Sequence, residues 1–446
     1  MKLDAKDKGN GDMLYATLGA DEDSEIEVQV KWDENGGYDA LEAGEKVRFA
    51  TLNNAAASRI TARTDGAGIF NLKYRVITDA YDADNTVENT MYNGADDGAG
   101  IYKPGADYTD AVFDANGTNY YIVKTESSEP SGPDDEPILP PVEELSKAGQ
   151  TIVAMSKANY ANAVYMDTLN KRQGEARYSM GRDNGVWVRM RHDNIGKEDA
   201  FRSHNTMFEM GYDVKDANSY GEFHTGVALD YLNGSIDYHN VNGDGDLQRY
   251  GLWFYTTFLG NEGQYADLVL KYGHLKNDFD VTSELNEKIS GNYSNDVVSL
   301  SAETGWKFTH DTGFYIEPQL QLQYSYVTSA DYSTSQHTQV ELDSIHSLIG
   351  RAGFRVGKDF AAENPITAYI RGDVLHEFLG DQDIRAHDNT GVFDATYEND
   401  DTWYSAGVGL SVMTSQNTYF YIEGEQVFGA DNDNTYTVSG GFKHSF

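Results

Sequence analysis

Charged residues of both signs recur on alternate positions of several β-like runs. Glu303, Glu317, Arg351, Arg355, Arg371, Asp373, Glu423 and Glu425 each share a face with Ser, Gln or Gly, while the neighbouring positions are Leu, Ile, Val, Phe or Tyr. Period two puts all of them on one side of a sheet. On a lipid face each Arg at mid-depth would cost about 2–4 kcal/mol, so the chemistry open to them is ion pairing, in water or with one another. Catalytic patterns are weaker. HEFLG at 376–380 has Gly380 where a zinc-binding HExxH needs its second His. NVNGDGD at 240–246 offers Asn240, Asn242, Asp244 and Gly245 in a calcium-loop order, but Gly251 replaces the closing Glu, so a hairpin is expected. There is no G-x-S-x-G, and the 11 His are scattered. With no Cys, thiol catalysis, Cys-ligated zinc and disulfides are excluded. No cofactor or metal is expected.

These charges need elements to hold them. The chain has 446 residues, enough for two or three domains. Mean hydropathy is −0.59 and no apolar run approaches 18 residues, so no transmembrane helix is expected. A β-barrel escapes that test, because only alternate residues meet lipid. Tyr 31, Phe 19 and Trp 5 are many for so polar a chain, and aromatic girdles are a barrel habit. The net charge of −38 is shared by both parts of the chain, which argues against nucleic acid as a partner. No apolar signal core follows Met1. The chain is therefore either cytosolic or a fragment, and the rest of the sequence favours a fragment.

Residues 25–32, 46–52, 69–77 and 119–125 read as strands separated by Gly, Asn and Asp. Residues 126–142 hold five of the chain's eight prolines and read as a linker between domains. From 143 to about 170 one continuous helix is expected, roughly 40 Å long at 1.5 Å per residue. Its apolar residues are few and its alanines many, as in a slim helix threaded through something narrow. From Gly185 onward strands follow without interruption: 185–192, 203–213, 220–231, 248–259, 264–275, 297–308, 314–326, 344–357, 366–378, 402–413, 417–429 and 434–446. Short connections such as 310–312 and 414–417 alternate with long polar ones at 283–297, 329–343 and 379–401. Short turns on one rim and long loops on the other suit an outer-membrane barrel.

Alternation alone fits a β-sandwich equally well, with oily faces inside and charges outside. The rim asymmetry, the helix without a partner and the aromatic Phe446 in the final strand favour a barrel whose charged face lines a lumen.

At this point the residues resemble those of the monomeric autotransporters of Gram-negative bacteria, the type V secretion pathway. LNKRQGEARYSMGRDNGVWVRM (169–190) is similar to that family's junction between helix and first strand. YIEPQLQLQYSY (315–326), LDSIHSLIGRAGFRVG (342–357) and VLHEFLGD (374–381) resemble its strand motifs in the right order. Residues 46–125 resemble the autochaperone cap of a passenger domain, with 79–118 as an insertion. The resemblance implies an all-β membrane protein: a 12-stranded antiparallel barrel at 179–446 with a lumen helix at 143–178, a linker at 126–142 and a β-solenoid passenger end at 1–125. It implies an assembly signal at Ser439, Gly441, His444 and Phe446, of which His444 departs from the usual hydrophobic residue. Some members cut themselves inside the barrel at an Asn-Asn pair. Here those positions hold Asp167 and Thr168, neither with an amide nucleophile, so that cleavage is not expected; Asp167 reads as an ordinary helix carboxylate.

The implied role is export of an N-terminal passenger to the cell surface by a monomer in the outer membrane. The implied partners are outer-membrane lipid and lipopolysaccharide, the β-barrel assembly machinery, periplasmic chaperones and the chain's own passenger. Two other readings are a surface adhesin anchored by the barrel and an outer-membrane barrel hydrolase using a rim His.

Overall fold

The computed structural model describes residues 2–3, 14–17, 26–32, 40–42, 45–53, 60–64, 68–71, 74–80, 117–124, 145–283, 286–360, 364–429 and 434–446. Among them, twelve long strands close into a ring: β1 (Gly185–Lys197), β2 (Phe201–Ala217), β3 (Gly221–Tyr238), β4 (Asn242–Gly260), β5 (Gln264–Thr282), β6 (Lys288–Trp306), β7 (Phe314–Val327), β8 (Ile345–Phe360), β9 (Ile366–Glu377), β10 (Thr402–Ser415), β11 (Thr418–Phe428) and β12 (Tyr436–Ser445). Every pairing is antiparallel between sequence neighbours. The ring closes where β12 meets β1, from Ser445↔Gly185 to Tyr436↔Asn194. Closure leaves no open backbone edge, the condition for strands in lipid.

The faces decide between barrel and sandwich. On β7, Ile316, Leu320 and Leu322 point out and are at least half exposed, whereas Glu317, Gln319, Gln321, Gln323 and Ser325 are buried inside. Leu268 and Leu270 on β5, and Val408 and Leu410 on β10, are likewise exposed on the outer face. The oily rows do not meet in a protein interior, which rules out a sandwich.

The upper strands show a feature absent from the sequence reading. A tilted strand crosses a bilayer with about 9–11 residues, but β3 has 18 and β4, β5 and β6 have 19 each. Their upper halves reverse polarity. Along β3 the outward Val227, Leu229 and Tyr231 give way to the inward Leu232, Ile236 and Tyr238. Along β5 the outward Leu268, Leu270 and Tyr272 give way to the inward Leu275, Phe279 and Val281. The shift of hydrophobic parity marks where lipid stops outside. Below it apolar side chains face out; above it they form a water-shielded core inside a projecting collar.

The long-loop rim is therefore more ordered than its polar sequence suggests. Much of 283–297 belongs to β6. The stretches 329–343 and 379–401, expected as loops, contribute Ala330–Ser333, Gln339–Leu342, Gln382–Asp388 and Gly391–Tyr397 to a four-stranded sheet. Its inward residues, Val340, Leu342, Ile384 and Ala386, join the collar core. The 240–246 stretch is a hairpin, with Asn240 at φ 55° in the turn.

The single expected helix is two. Helix α1 spans Lys147–Ala163 and α2 spans Leu169–Gln173, joined by a non-helical segment at 164–168. Thr168 explains the restart, because its hydroxyl caps α2 by accepting from the Lys171 N–H at 3.2 Å. Asp167 thus lies in the break and not in a helix. Ahead of residue 145, Lys2–Leu3, Ile26–Trp32 and Ile60–Thr64 pair in parallel; Leu14–Thr17, Lys46–Asn53, Gly117–Lys124 and Tyr74–Ala80 form a second sheet. Of the expected strand 69–77 only the part from Tyr74 is a strand in that sheet, while Ile69 and Phe70 run to the barrel collar. The linker at 126–142 and most of the insertion, 81–116, lie outside the described residues.

Candidate functional site

The site is the occupied lumen. Helix α1 enters through the collar, and the chain descends past the wall to the short-turn rim, where Ala176–Ser179 turns it toward β1. In the collar the contact is apolar: Ile152, Ala154, Met155 and Ala158 pack on the inverted core. The many alanines keep the helix slim enough to fit there.

Lower down the wall is polar, and the broken helix depends on it. A helix end leaves backbone groups without intrahelical partners, and buried ones must be satisfied. Wall side chains do this at the break. Gln323 donates to the Val164 carbonyl at 2.9 Å and Gln321 to the Asp167 carbonyl at 2.7 Å. The Glu303 carboxylate accepts the Leu169 N–H at 2.8 Å, and Gln319 donates to the Asn170 side chain at 3.0 Å. The glutamines of YIEPQLQLQYSY are thus a ladder matched to the break. Just after α2, Gly174 has φ 58°, and a Cβ there would stand 2.5 Å from Cβ of Tyr421. That contact demands the glycine of LNKRQG.

Three buried ionic nodes follow the chain downward. Asp167 accepts from Arg189 at 2.8 Å, with Arg191 at 3.6 Å and Lys271 at 3.8 Å. Arg172 holds Asp267 with 2.8 and 3.0 Å contacts and lies 4.6 Å from the Tyr255 ring centre. Glu175 takes Arg177, Lys307 and Arg355, each at 3.1 Å. Lys171 adds a pair with Glu425 at 2.5 Å.

The eight charges singled out from the sequence all lie inside. Glu303, Glu317, Arg355 and Glu425 touch the lumen segment, Glu317 through Arg177 at 2.9 Å. Arg351, Arg371, Asp373 and Glu423 instead pair with other wall residues: Arg351 with Asp373 at 2.5 Å and Glu303 at 3.1 Å, Arg371 with Asp373 at 2.6 Å and Glu423 at 3.0 Å. Sequence reasoning missed the partners on β1 to β5 (Arg189, Arg191, Asp230, Arg249, Asp267 and Lys271), although they sit on the same alternating faces. Thr168 is a cap. His376 and Glu377 of HEFLG face opposite sides: the His bonds Thr402 outside, while Glu377 accepts from Tyr160 at 2.9 Å inside. At the closing strand, Ser439 is buried and His444 lies beside Thr418 at 2.8 Å. Phe446 is exposed, its N–H bonded to the Asn184 carbonyl at 3.0 Å and its ring stacked on Tyr212. A Cβ on Gly441 would meet the Val188 carbonyl at 2.2 Å.

Beside α1 a cavity of about 140 Å³ remains, lined by Tyr165, Leu375, Trp403, Val427 and the Lys171–Glu425 pair. It is smaller than the roughly 300–1,000 Å³ of a typical ligand pocket.

The Autotransporter beta-domain family model matches residues 184–425. The probable autotransporter YcgV of Escherichia coli (strain K12) is 29% identical over 313 residues, 66% of this chain and 32% of that protein. The pertactin autotransporter of Bordetella parapertussis (strain 12822) is 28% identical over 329 residues, 71% of this chain and 35% of that protein. The chain thus spans about a third of the length of these relatives. Two solved structures share the fold. The transport unit of the autotransporter AIDA-I from Escherichia coli covers 68% of this chain and 99% of its own, with a TM-score of 0.52 at 16% identity. The beta domain of the Bordetella autotransporter BrkA covers 59% of this chain and 100% of its own, with a TM-score of 0.51 at 20% identity.

Proposed function

Since the chain belongs to the autotransporter beta-domain family, an outer-membrane family, we propose that residues 143–446 are a translocator that carries the residues ahead of them to the cell surface. Residues 1–125 are the end of that passenger, and 126–142 are the linker. The observation that carries the reading is the path of the chain. Ile69 and Phe70 lie in the collar on the long-loop side, and from Leu145 the chain passes through the collar and the lumen and joins β1 at the short-turn rim. The long-loop rim faces outward from the cell, and the passenger lies beyond it. The lumen is too full beside α1 for a second chain, so export precedes the seating of the helix. The ionic nodes and the glutamine ladder then hold the helix as a plug. Burial of each apolar residue in the collar, about 25 cal/mol per Å², biases the helix toward its seated state.

The translocator acts by transport and not by catalysis. The chain stays uncut at Asp167–Thr168, since Asp167 lacks an amide nucleophile and is engaged by Arg189, Arg191 and Lys271. Insertion of the barrel relies on the assembly machinery and periplasmic chaperones, with Ser439, Gly441, His444 and Phe446 as the signal in the closing strand. The barrel acts as a monomer in lipid and lipopolysaccharide.

The test is to express the chain behind a cleavable secretion leader, with an epitope tag ahead of Met1. The reading predicts a heat-modifiable band in the outer-membrane fraction and an epitope accessible to antibody on intact cells. A soluble protein, or a tag reached only after the outer membrane is broken, contradicts it.

A further inference from the structure

Residues 68–70 lie far ahead of the barrel in sequence, yet they are seated in its collar. The Ile69 and Phe70 side chains are almost fully buried within the collar core. Ile69 donates its N–H to Asp388 at 2.9 Å, and Phe70 donates to the Thr390 hydroxyl at 3.2 Å. Both acceptors belong to the turn of the rim sheet. Asp388 Oδ1 in turn accepts the Thr390 N–H at 2.8 Å and its hydroxyl at 2.5 Å, so the turn is held in the accepting geometry. The Phe70 ring meets Phe393 edge-on at 6.4 Å.

The other wall of this seat is the start of α1. Phe70 forms a β-bridge with Leu145, the Ser146 N–H donates to the Ile69 carbonyl at 2.8 Å, and the Ser146 hydroxyl donates to the Gly68 carbonyl. Two glycines permit the approach. A Cβ on Gly149 would lie 2.3 Å from the Ile69 carbonyl oxygen, and one on Gly68 would lie 2.3 Å from the Thr390 methyl. The Gly149 contact is with backbone and cannot be relieved by rotating a side chain; relieving the Gly68 contact would require Thr390 to turn, and its hydroxyl is held by Phe70 and Asp388.

We propose that the collar is a latch for the passenger's own segment Gly68–Phe70, and that it holds the passenger to the barrel without help from the peptide chain between them. The segment sits on one side of the proline-rich stretch and α1 on the other, and the latch bridges the two. Cutting the chain between Lys124 and Leu145 therefore leaves the passenger attached. A second contact of the same kind, the ion pair of Lys31 with Glu287 on the β5–β6 turn, works with it. This inference rests on the export reading, because the collar must lie outside the cell and the passenger beside it.

The experiment replaces residues 131–137 with a site for a specific protease, in the full chain with its leader and N-terminal tag. Intact cells are probed for the tag, treated with protease and pelleted. The latch predicts that most of the cut passenger stays with the cells. Asp388→Ala with Thr390→Ala, and separately Gly149→Val, are expected to move the majority to the supernatant while the barrel keeps its heat-modifiable mobility. Should Gly149→Val fail to assemble, the loop pair alone decides, since both residues lie outside the barrel strands. A tag present on the surface whose passenger is shed from the unsubstituted chain on cutting overturns the latch and leaves export standing. So does equal retention by the loop pair. A tag missing from the surface before cutting overturns both.

Discussion

Replacing Arg172 by Met is the sharpest perturbation of the plug. The side chain is buried, makes two contacts to Asp267 at 2.8 and 3.0 Å, and lies over Tyr255. Methionine keeps much of the stem volume but removes the charge. Asp267 is then left in the lumen wall with the Thr257 hydroxyl at 2.5 Å. An uncompensated buried charge of this kind costs about 3–5 kcal/mol, and the lost cation–π contact adds about 0.5–2 kcal/mol. The orphaned carboxylate is the larger part. Asp267→Leu on top of Arg172→Met should therefore restore all but about 1 kcal/mol, since replacing a whole buried pair by apolar groups is often neutral. The assay is urea unfolding of the refolded barrel in detergent for both single variants and the double, read as a cycle. Since each single variant leaves one buried charge uncompensated at about 3–5 kcal/mol and the double costs about 1 kcal/mol, a coupling energy of at least about 5 kcal/mol is expected. If Arg172→Met alone unfolds within about 0.5 kcal/mol of the parent and the coupling is near zero, the lumen is wet at this depth and the ions do not hold the plug.

Other consequences are equally direct. Leu320→Lys puts a charge on the lipid face and should cost about 2–4 kcal/mol in lipid vesicles; an effect under 1 kcal/mol would place that face in water. Leu275→Ala, in the collar core, should cost about 2–5 kcal/mol by cavity formation, whereas lipid refills the space left by Leu270→Ala, so the same unfolding assay should show a loss below about 1 kcal/mol. Gly174→Ala forces a Cβ into Tyr421 and should lower the folded fraction on unheated gels. Phe446→Ser should reduce the amount of barrel reaching the outer membrane, measured by fractionation, with little change once folded in detergent. Boiled gels should show one intact chain, without cutting at Asp167–Thr168.

The barrel was legible because period two is a strong pattern and acts at every strand. Glu317-x-Gln-x-Gln-x-Gln against Leu320 and Leu322 defines two faces without any knowledge of packing. What alternation could not say is which face is dry; that needed coordinates, because a sandwich and a barrel share the pattern. The collar was missed for a related reason. The oily set on β3 changes parity at Leu232, and on β5 at Leu275, and a search for one continuous alternation ends the strand there. The expected segments stop at 231 and 275, where the structure continues to Tyr238 and Thr282. The helix break was hidden because nothing in 143–170 is a strong breaker. The orphan groups at Val164, Asp167 and Leu169 are satisfied from β6 and β7, more than a hundred residues away. The pairing of individual charges was beyond the sequence for the same reason, since Arg351 and Arg371 choose wall partners by register across strands.

The central claim is that oily rows face lipid and a charged lumen encloses the chain. Two tryptophan positions test it. Trp253 is buried on the inner face and position 322 lies on the outer one. With the other native Trp residues changed to Phe, one variant keeps Trp253, and another carries Leu322→Trp with Trp253→Phe. Both are reconstituted in vesicles whose acyl chains carry bromine, a short-range quencher of indole. The account predicts strong quenching at position 322 and almost none at Trp253. Quenching at Trp253 with position 322 unaffected would turn the barrel inside out and remove the basis for the plug.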